Sequence, residues 1–159
     1  RKPLVVMSPK SLLRHPACIS PLSELETGTK FKPIISEEHT PAQAKKIKRL
    51  VFCSGKIYYD LIDYRDKNKV EGISIVRLEQ LYPLHKPQLE EIVAKYPGAE
   101  KVWVQEEPGN MGAWTYINAK LPEFGFRSIA RRISASPATG FKKVHDENQE
   151  RIVREAMTL

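Results

Sequence analysis

Two regimes of hydrophobic patterning divide this chain. From residue 49 onward, compact apolar runs alternate with stretches in which apolar residues recur every three or four positions. The runs are Arg49–Cys53 (RLVFC), Ile73–Leu78 (ISIVRL), Lys101–Gln105 (KVWVQ) and Phe126–Ile133 (FRSIARRI). Short runs rich in β-branched and aromatic residues suit buried strands. Between them, Ile57, Leu61 and Tyr64 fall at i, i+4, i+7 and predict a helix near Lys56–Lys67. Leu89, Ile92, Val93 and Tyr96 predict a second helix over Lys86–Tyr96, stopped by Pro97-Gly98. Ala113, Ile117 and Leu121 predict a third over Gly112–Leu121, and Asp146–Met157 reads as a closing helix. The order strand, helix, strand, helix with short connections predicts an α/β fold. It is a three-layer sandwich: a mostly parallel sheet covered by helices on both faces.

The first 48 residues lack this rhythm. Arg1–Met7 (RKPLVVM) reads as a short strand, and Ser11–Arg14 as a brief turn or short helix. Pro16, Pro21 and Gly28 keep the following stretch irregular, apart from a helical turn at Leu22–Leu25 and a short strand at Phe31–Ile35. The expected division is therefore 1–48, a strand and extended connector, and 49–159, the α/β domain.

Composition narrows the class. With 159 residues, 41% hydrophobic and 28% charged, the chain has enough apolar material for one folded core and is not of disordered type. No apolar run approaches the roughly 20 residues of a membrane span, and Leu4–Met7 is too short for a signal core, so no membrane partner is expected. Cys18 and Cys53 form no metal or redox pair, which fits a reducing compartment: the cytoplasm of a bacterium, or the mitochondrial matrix of a eukaryote. The start RKPLVV lacks an initiator Met and reads as a domain cut from a longer polypeptide. Residues 1–56 carry eleven Lys/Arg against four Asp/Glu, whereas 57–159 carry fifteen of each. The excess sits in the leading part, without interleaved aromatics or a nucleic-acid motif, so docking on an acidic surface or on other domains is expected rather than nucleic acid.

The densest chemistry lies in KVWVQEEPGNMGAW, residues 101–114. A strand breaks there into a loop with Gln105, Glu106, Glu107, Asn110 and Trp114, at the sheet end where open α/β folds gather ligands and partners. The plainer reading is a solvated turn. These five residues are the candidate interdomain loop. Ser54-Gly55-Lys56 stands at another strand-to-helix junction; amides and a Lys there suit an anion, but the earlier glycine of a nucleotide loop is missing, and a tight turn explains it equally. Arg131-Arg132, beside Ser134 and Ser136, suits an anion or a solvated strand end. His15, His39, His85 and His145 have no ligand spacing and read as solvated or capping residues. No G-x-S-x-G elbow occurs.

Five segments resemble one family: MSPKSLLRHP at 7–16, SGKIYYDL at 54–61, IVRLEQLYP at 75–83, WVQEEPGNMGAW at 103–114 and SASPATG at 134–140. They are similar, in order, to the C-terminal part of the thiamine-diphosphate-dependent decarboxylase component of the 2-oxoglutarate dehydrogenase complex. The resemblance implies a transketolase-type C-terminal fold. It also implies a parent enzyme that oxidatively decarboxylates 2-oxoglutarate in the tricarboxylic acid cycle and passes the succinyl group to a lipoyl group. Thiamine diphosphate and Mg²⁺ would be held by preceding domains, since no G-D-G run followed by an Asn pair is present here. No catalytic, cofactor or metal residue is therefore expected in this chain. Its expected partners are the preceding domains, the homodimer partner and the acyltransferase core, and its expected role is structural. The alternatives are an effector-binding regulatory domain, for acyl-CoA or adenine nucleotide, and an independent anion-binding module. For the effector reading, Arg14, Ser54, Lys56, Arg131 and Arg132 form the candidate anion site.

Overall fold

A computed structural model describes residues 2–6 and 8–159. Five strands form one sheet: β1 (Ile34–Ser36), β2 (Arg49–Cys53), β3 (Ile73–Leu78), β4 (Glu100–Pro108) and β5 (Arg127–Arg131). Their order is β1-β3-β2-β4-β5; β1 runs antiparallel to β3 and every other pair is parallel. The helices are α1 (Pro41–Ala44), α2 (Ile57–Asn68), α3 (Lys86–Ala94), α4 (Trp114–Lys120) and α5 (Lys142–Met157). The α/β fold with a mostly parallel sheet follows the sequence pattern.

Alternation along the central strands separates two cores. Leu50, Phe52, Val76, Leu78 and Trp103 face one way, against Leu89, Ile92 and Tyr96 of the α3 region and Ile117 of α4. Val51, Cys53, Ile75, Val102 and Val104 face the other, against Ile57 and Leu61 of α2 and Ile152, Val153 and Ala156 of α5. Both faces of β2 are fully covered, which is why it reads as an unbroken apolar run. Burial holds the Cys53 thiol un-ionised, its pKa pushed up to about 12.

Arg49 opens β2 and is buried despite its charge. Its Nε donates to Glu100 Oε2 at 2.6 Å, while Nη1 donates to the carbonyls of Glu155, Ala156 and Thr158. The guanidinium thus caps the carbonyl end of α5, where backbone groups lack helical partners and the helix dipole favours a cation.

Several boundaries differ from the sequence reading. β4 continues through Glu106, Glu107 and Pro108, because a register shift between Val104 and Pro108 lets Pro108 pair with Arg131. α4 begins at Trp114 rather than Gly112, and α5 begins at Lys142 rather than Asp146. β5 is Arg127–Arg131, shorter at both ends than the expected run. The compact unit holding the sheet begins at Lys32; the short strand expected at Phe31–Ile35 forms as β1 at Ile34–Ser36, and the stretch after it, read as connector, supplies α1. Thr40 and Gln43 close a reciprocal capping box around α1, with Pro41 in its first turn. Beyond Ser36, the Glu37 carboxylate replaces a strand: Oε2 accepts from the Ile75 amide at 3.0 Å and the Ser74 hydroxyl at 3.1 Å, and Oε1 pairs with Arg65.

The leading unit, residues 1–31, has two 3₁₀ turns, Lys10–Leu12 and Leu22–Leu25. The strand expected over Arg1–Met7 is not formed by the described residues 2–6, which carry no regular secondary structure; Arg1 and Met7 lie outside the described residues.

Candidate functional site

The sheet reverses its direction of growth between β2 and β4. From β2 the chain moves to β3 on one side, then crosses to β4 and β5 on the other. Loops diverge at the carboxyl ends of β2 and β4, and ligands of open α/β sheets bind at such a switch point. Ser54-Gly55-Lys56 leaves β2 there, and Glu106-Glu107 ends β4.

An ion pair fills that position. Lys56 Nζ lies 2.5 Å from Glu106 Oε1 and 3.4 Å from Asp60 Oδ2. Burial pulls the Lys56 pKa down, but the carboxylates of Glu106 and Asp60 outweigh it and hold the ammonium above its usual range. Arg131 reaches the same residue from β5: its Nε donates to the Glu106 carbonyl at 2.7 Å, and Nη2 donates to the Pro137 carbonyl. Arg131 therefore ties the end of β4 to the loop that precedes α5, while its charge meets only neutral carbonyls in those two bonds.

Gln105 supports this end from inside. It is 4% exposed and makes four hydrogen bonds. Oε1 accepts from Trp103 Nε1 at 2.9 Å and from the Trp114 amide at 3.0 Å. Nε2 donates to the carbonyls of Pro108 at 3.0 Å and Met111 at 2.7 Å. Gly112 lets the turn pass close: its φ is +65°, and a Cβ there would stand 3.0 Å from Gln105 Nε2. Asn110 locks the outer side, its Nδ2 donating to the Ser134 carbonyl at 2.9 Å and its Oδ1 accepting from the Ser134 amide at 3.1 Å.

The five candidate loop residues thus divide. Gln105 is buried, Glu106 is ion-paired, Trp114 is half-buried, and Glu107 and Asn110 are exposed. The five candidate anion residues divide as well. Lys56 and Arg131 converge on Glu106, and Ser54 lies at the head of the same loop as Lys56. Arg132 is exposed and lines a groove with Arg131, Glu147, Asn148 and Arg151. Arg14 belongs to the leading unit and is exposed. A second groove, about 450 Å³, lies along Glu106, Glu107, Arg131, Phe141, Lys142 and His145. It mixes both charge signs.

Beside the switch point, Arg77 at the end of β3 places its guanidinium 4.3 Å from the centre of the Tyr58 ring and 2.9 Å from Glu79 Oε1. Its charge is spent on a ring face and a carboxylate.

The sequence reading missed one polar cluster. His39 Nε2 lies 3.1 Å from Ser74 Oγ, and the ring stands edge-on to Tyr96 at 5.9 Å. Because the Ser74 hydroxyl donates to Glu37, the imidazole must supply the other proton. His39 is thus a packed residue, not a solvated one. The trio is no hydrolytic triad, since Ser74 is 1% exposed and the carboxylate binds the serine instead of orienting the far ring nitrogen. Its residues are scattered along the chain, so no sequence spacing could reveal it; the T-x-x-Q capping pattern beside it is a local signal that the sequence reading did not use. Among the described residues no three His, Cys, Asp or Glu gather to hold a metal, and no helix is long and apolar enough to cross a membrane.

The family described as 2-oxoglutarate dehydrogenase C-terminal matches residues 19–157. The 2-oxoglutarate dehydrogenase E1 component of Rickettsia conorii is 45% identical over 168 residues, covering 100% of this chain and 18% of the relative. That of Azotobacter vinelandii is 44% identical over 168 residues, with the same coverage of both. The oxoglutarate dehydrogenase of Buchnera aphidicola is 44% identical over 165 residues, again 100% and 18%. The chain spans about a fifth of the length of these relatives (18%).

Proposed function

The chain belongs to the 2-oxoglutarate dehydrogenase C-terminal family, and from that premise we propose that it is a structural and assembly domain without catalytic residues of its own. The parent enzyme in this reading oxidatively decarboxylates 2-oxoglutarate and succinylates the lipoyl group of an acyltransferase core. It works in the bacterial cytoplasm or the mitochondrial matrix. Thiamine diphosphate with Mg²⁺ supplies the carbanion chemistry of that reaction. The residues described here do not fit this group: among them no three His, Cys, Asp or Glu gather to ligate a metal, and Lys56 at the switch point is engaged by Glu106. The group therefore belongs to other parts of the parent.

The observation that carries the reading is the Lys56–Glu106 pair at the switch point, with Arg131 bonded to the Glu106 carbonyl. The position where an α/β sheet takes its ligand is filled by the protein's own charges. What remains outward is Glu107, Asn110 and half of Trp114, a surface suited to the preceding domains and the dimer partner. Sedimentation velocity of the parent carrying Trp114→Ala with Glu107→Lys tests this. Weakened dimerisation, with the 159-residue chain still folded and losing no more than about 1–2 kcal/mol, is the expected outcome. An unaltered dimer refutes the loop's role.

A second reading is favoured by the groove where Arg131, Arg132 and Arg151 stand together. It is an effector site for the phosphates of an acyl-CoA or adenine nucleotide, with Ser54 and Lys56 as further candidates. Titration of the chain with acetyl-CoA and AMP decides it. Binding that survives moderate salt and is lost in Arg131→Ala/Arg132→Ala supports it; absence of heat beyond dilution removes it.

A further inference from the structure

Charge is divided unevenly between the two ends of the parallel strands. Parallel strands joined through helices place the start of each strand and the end of each crossover helix on one edge, the amino edge. The contacts agree: Arg49, which opens β2, donates to carbonyls at the end of α5. At the opposite, carboxyl edge Lys56 is matched by Glu106 and Arg77 by Glu79. The amino edge is different. Lys45, Lys46 and Lys48 precede β2, Lys69 and Lys95 stand just past α2 and α3, and Lys120 ends α4. All six are exposed, and among the described residues none of the six pairs with a carboxylate. Neighbouring carboxylates are already used: Glu100 pairs with Arg49 and Arg127, and Glu155 with Arg127 and Arg151. Helix dipoles account for cations at the ends of α2, α3 and α4. They do not account for Lys45, Lys46 and Lys48, because α1, which these follow, is a single turn with little dipole to balance.

A groove of about 540 Å³ opens at this edge, lined by Lys46, Lys48 and Glu71, with Ile47, Val70 and Leu159 as apolar walls. Arg65 and His39 also line it, but they are taken up by Glu37 and Ser74. The two lysines are therefore the charge it offers. The backbone that carries them is fixed: the Lys48 amide donates to the Gly72 carbonyl at 2.7 Å, and the Lys48 carbonyl accepts from the Glu100 amide at 2.8 Å. His39 is the one aromatic ring in the lining, and it is packed edge-on against Tyr96. The groove thus lacks the stacking platforms of a single-stranded nucleic-acid cleft, and its uncommitted cations are lysine point charges rather than planar forks. Apolar walls beside unmatched ammonium groups complement an aliphatic side chain flanked by carboxylates.

We infer that the amino edge of the sheet is a docking surface for an acidic segment of a separate polypeptide. An aliphatic side chain of that segment enters the groove, and its carboxylates meet Lys46 and Lys48. The remaining lysines of the edge steer the approach. This goes beyond the assembly reading, whose loop lies at the carboxyl edge.

Fluorescence anisotropy of a labelled EELEE peptide with the full-length protein tests it, with EESEE as a counterpart of equal charge. EELEE should bind saturably at low salt and more tightly than EESEE. Lys46→Glu/Lys48→Glu should weaken it at least about 10-fold, and Lys46→Gln/Lys48→Gln should weaken it in the same direction. Lys142→Glu/Lys143→Glu makes the same change of net charge at the start of the 16-residue α5, about 24 Å along the helix from the amino edge, and should leave binding unchanged. Circular dichroism confirms that each variant is folded. Absence of saturable binding, or equal affinity in the Lys46/Lys48 variants, overturns the proposal. Equal losses at Lys142/Lys143 overturn it in favour of general attraction to a basic protein. EESEE binding as tightly as EELEE overturns the role of the groove. Tighter binding of single-stranded RNA or of phosphatidylserine vesicles, lost in the Lys46/Lys48 variants, overturns it in favour of that partner. The assembly reading fails separately: an unaltered dimer in the Trp114/Glu107 variant leaves peptide binding standing, and absence of peptide binding leaves the dimer result standing.

Discussion

Gln105 illustrates what a residue's neighbours in sequence conceal. Its position among Glu106, Glu107 and Asn110 suggests a polar loop facing outward, but the structure turns its amide inward to satisfy two donors and two acceptors. The loop was legible as specified in detail; the burial of one amide was not, because it depends on Gly112 allowing the turn to close over it. Gln105→Leu keeps the volume and leaves those partners unpaired, so it should cost about 3 kcal/mol in urea unfolding, the range for buried unsatisfied polar groups. Arg49→Met should cost about 2–3 kcal/mol, since it strips the carbonyl end of α5 of a charged donor. Its partner Glu100 gives a pH signature. Burial raises the Glu100 pKa, but the guanidinium groups of Arg127 and Arg49 outweigh this and hold it below the usual carboxylate range. A depressed folded pKa contributes stability above the unfolded value, lost as pH falls through the folded one. The acid limb of stability, below roughly pH 4.5, should therefore flatten in Glu100→Gln.

At the scale of elements, the central strands were legible because burial on both faces leaves mostly apolar residues to write them. The helices were legible from their 3.6-residue period. β1 was expected as a short strand at Phe31–Ile35 and forms slightly later, at Ile34–Ser36, whereas α1 was not assigned. β1 is a three-residue edge strand fixed by its pairing with β3, and α1 is one turn whose only local signal is Thr40-Pro41-Ala42-Gln43. Likewise, β4 outlasts its apolar run because pairing with β5 carries Glu106–Pro108 along. Trp103 and Trp114 bracket that extension. Trp103 is 1% exposed within the core facing α3 and α4. Trp103→Ala should cost about 3–5 kcal/mol, whereas half-buried Trp114 should cost about 1–2 kcal/mol on replacement by Ala. Equal losses in calorimetry would contradict the difference in burial.

For the whole molecule, the fold class followed from the alternation of elements, and the family from five segments in order. The geometry of the candidate anion site did not follow. Sequence distance cannot show that Lys56, fifty positions before Glu106, is committed to it, nor that Arg131 donates to the main-chain carbonyls of Glu106 and Pro137. In the structure the switch point holds an ion pair, with a main-chain clamp beside it. The most direct measurement is release of carbon dioxide from 2-oxoglutarate by the folded 159-residue chain, supplied with thiamine diphosphate, Mg²⁺ and an electron acceptor. The account predicts no turnover above a protein-free blank, from a chain whose circular dichroism shows the α/β fold. Turnover that rises with chain concentration and is lost in Glu106→Gln would contradict it.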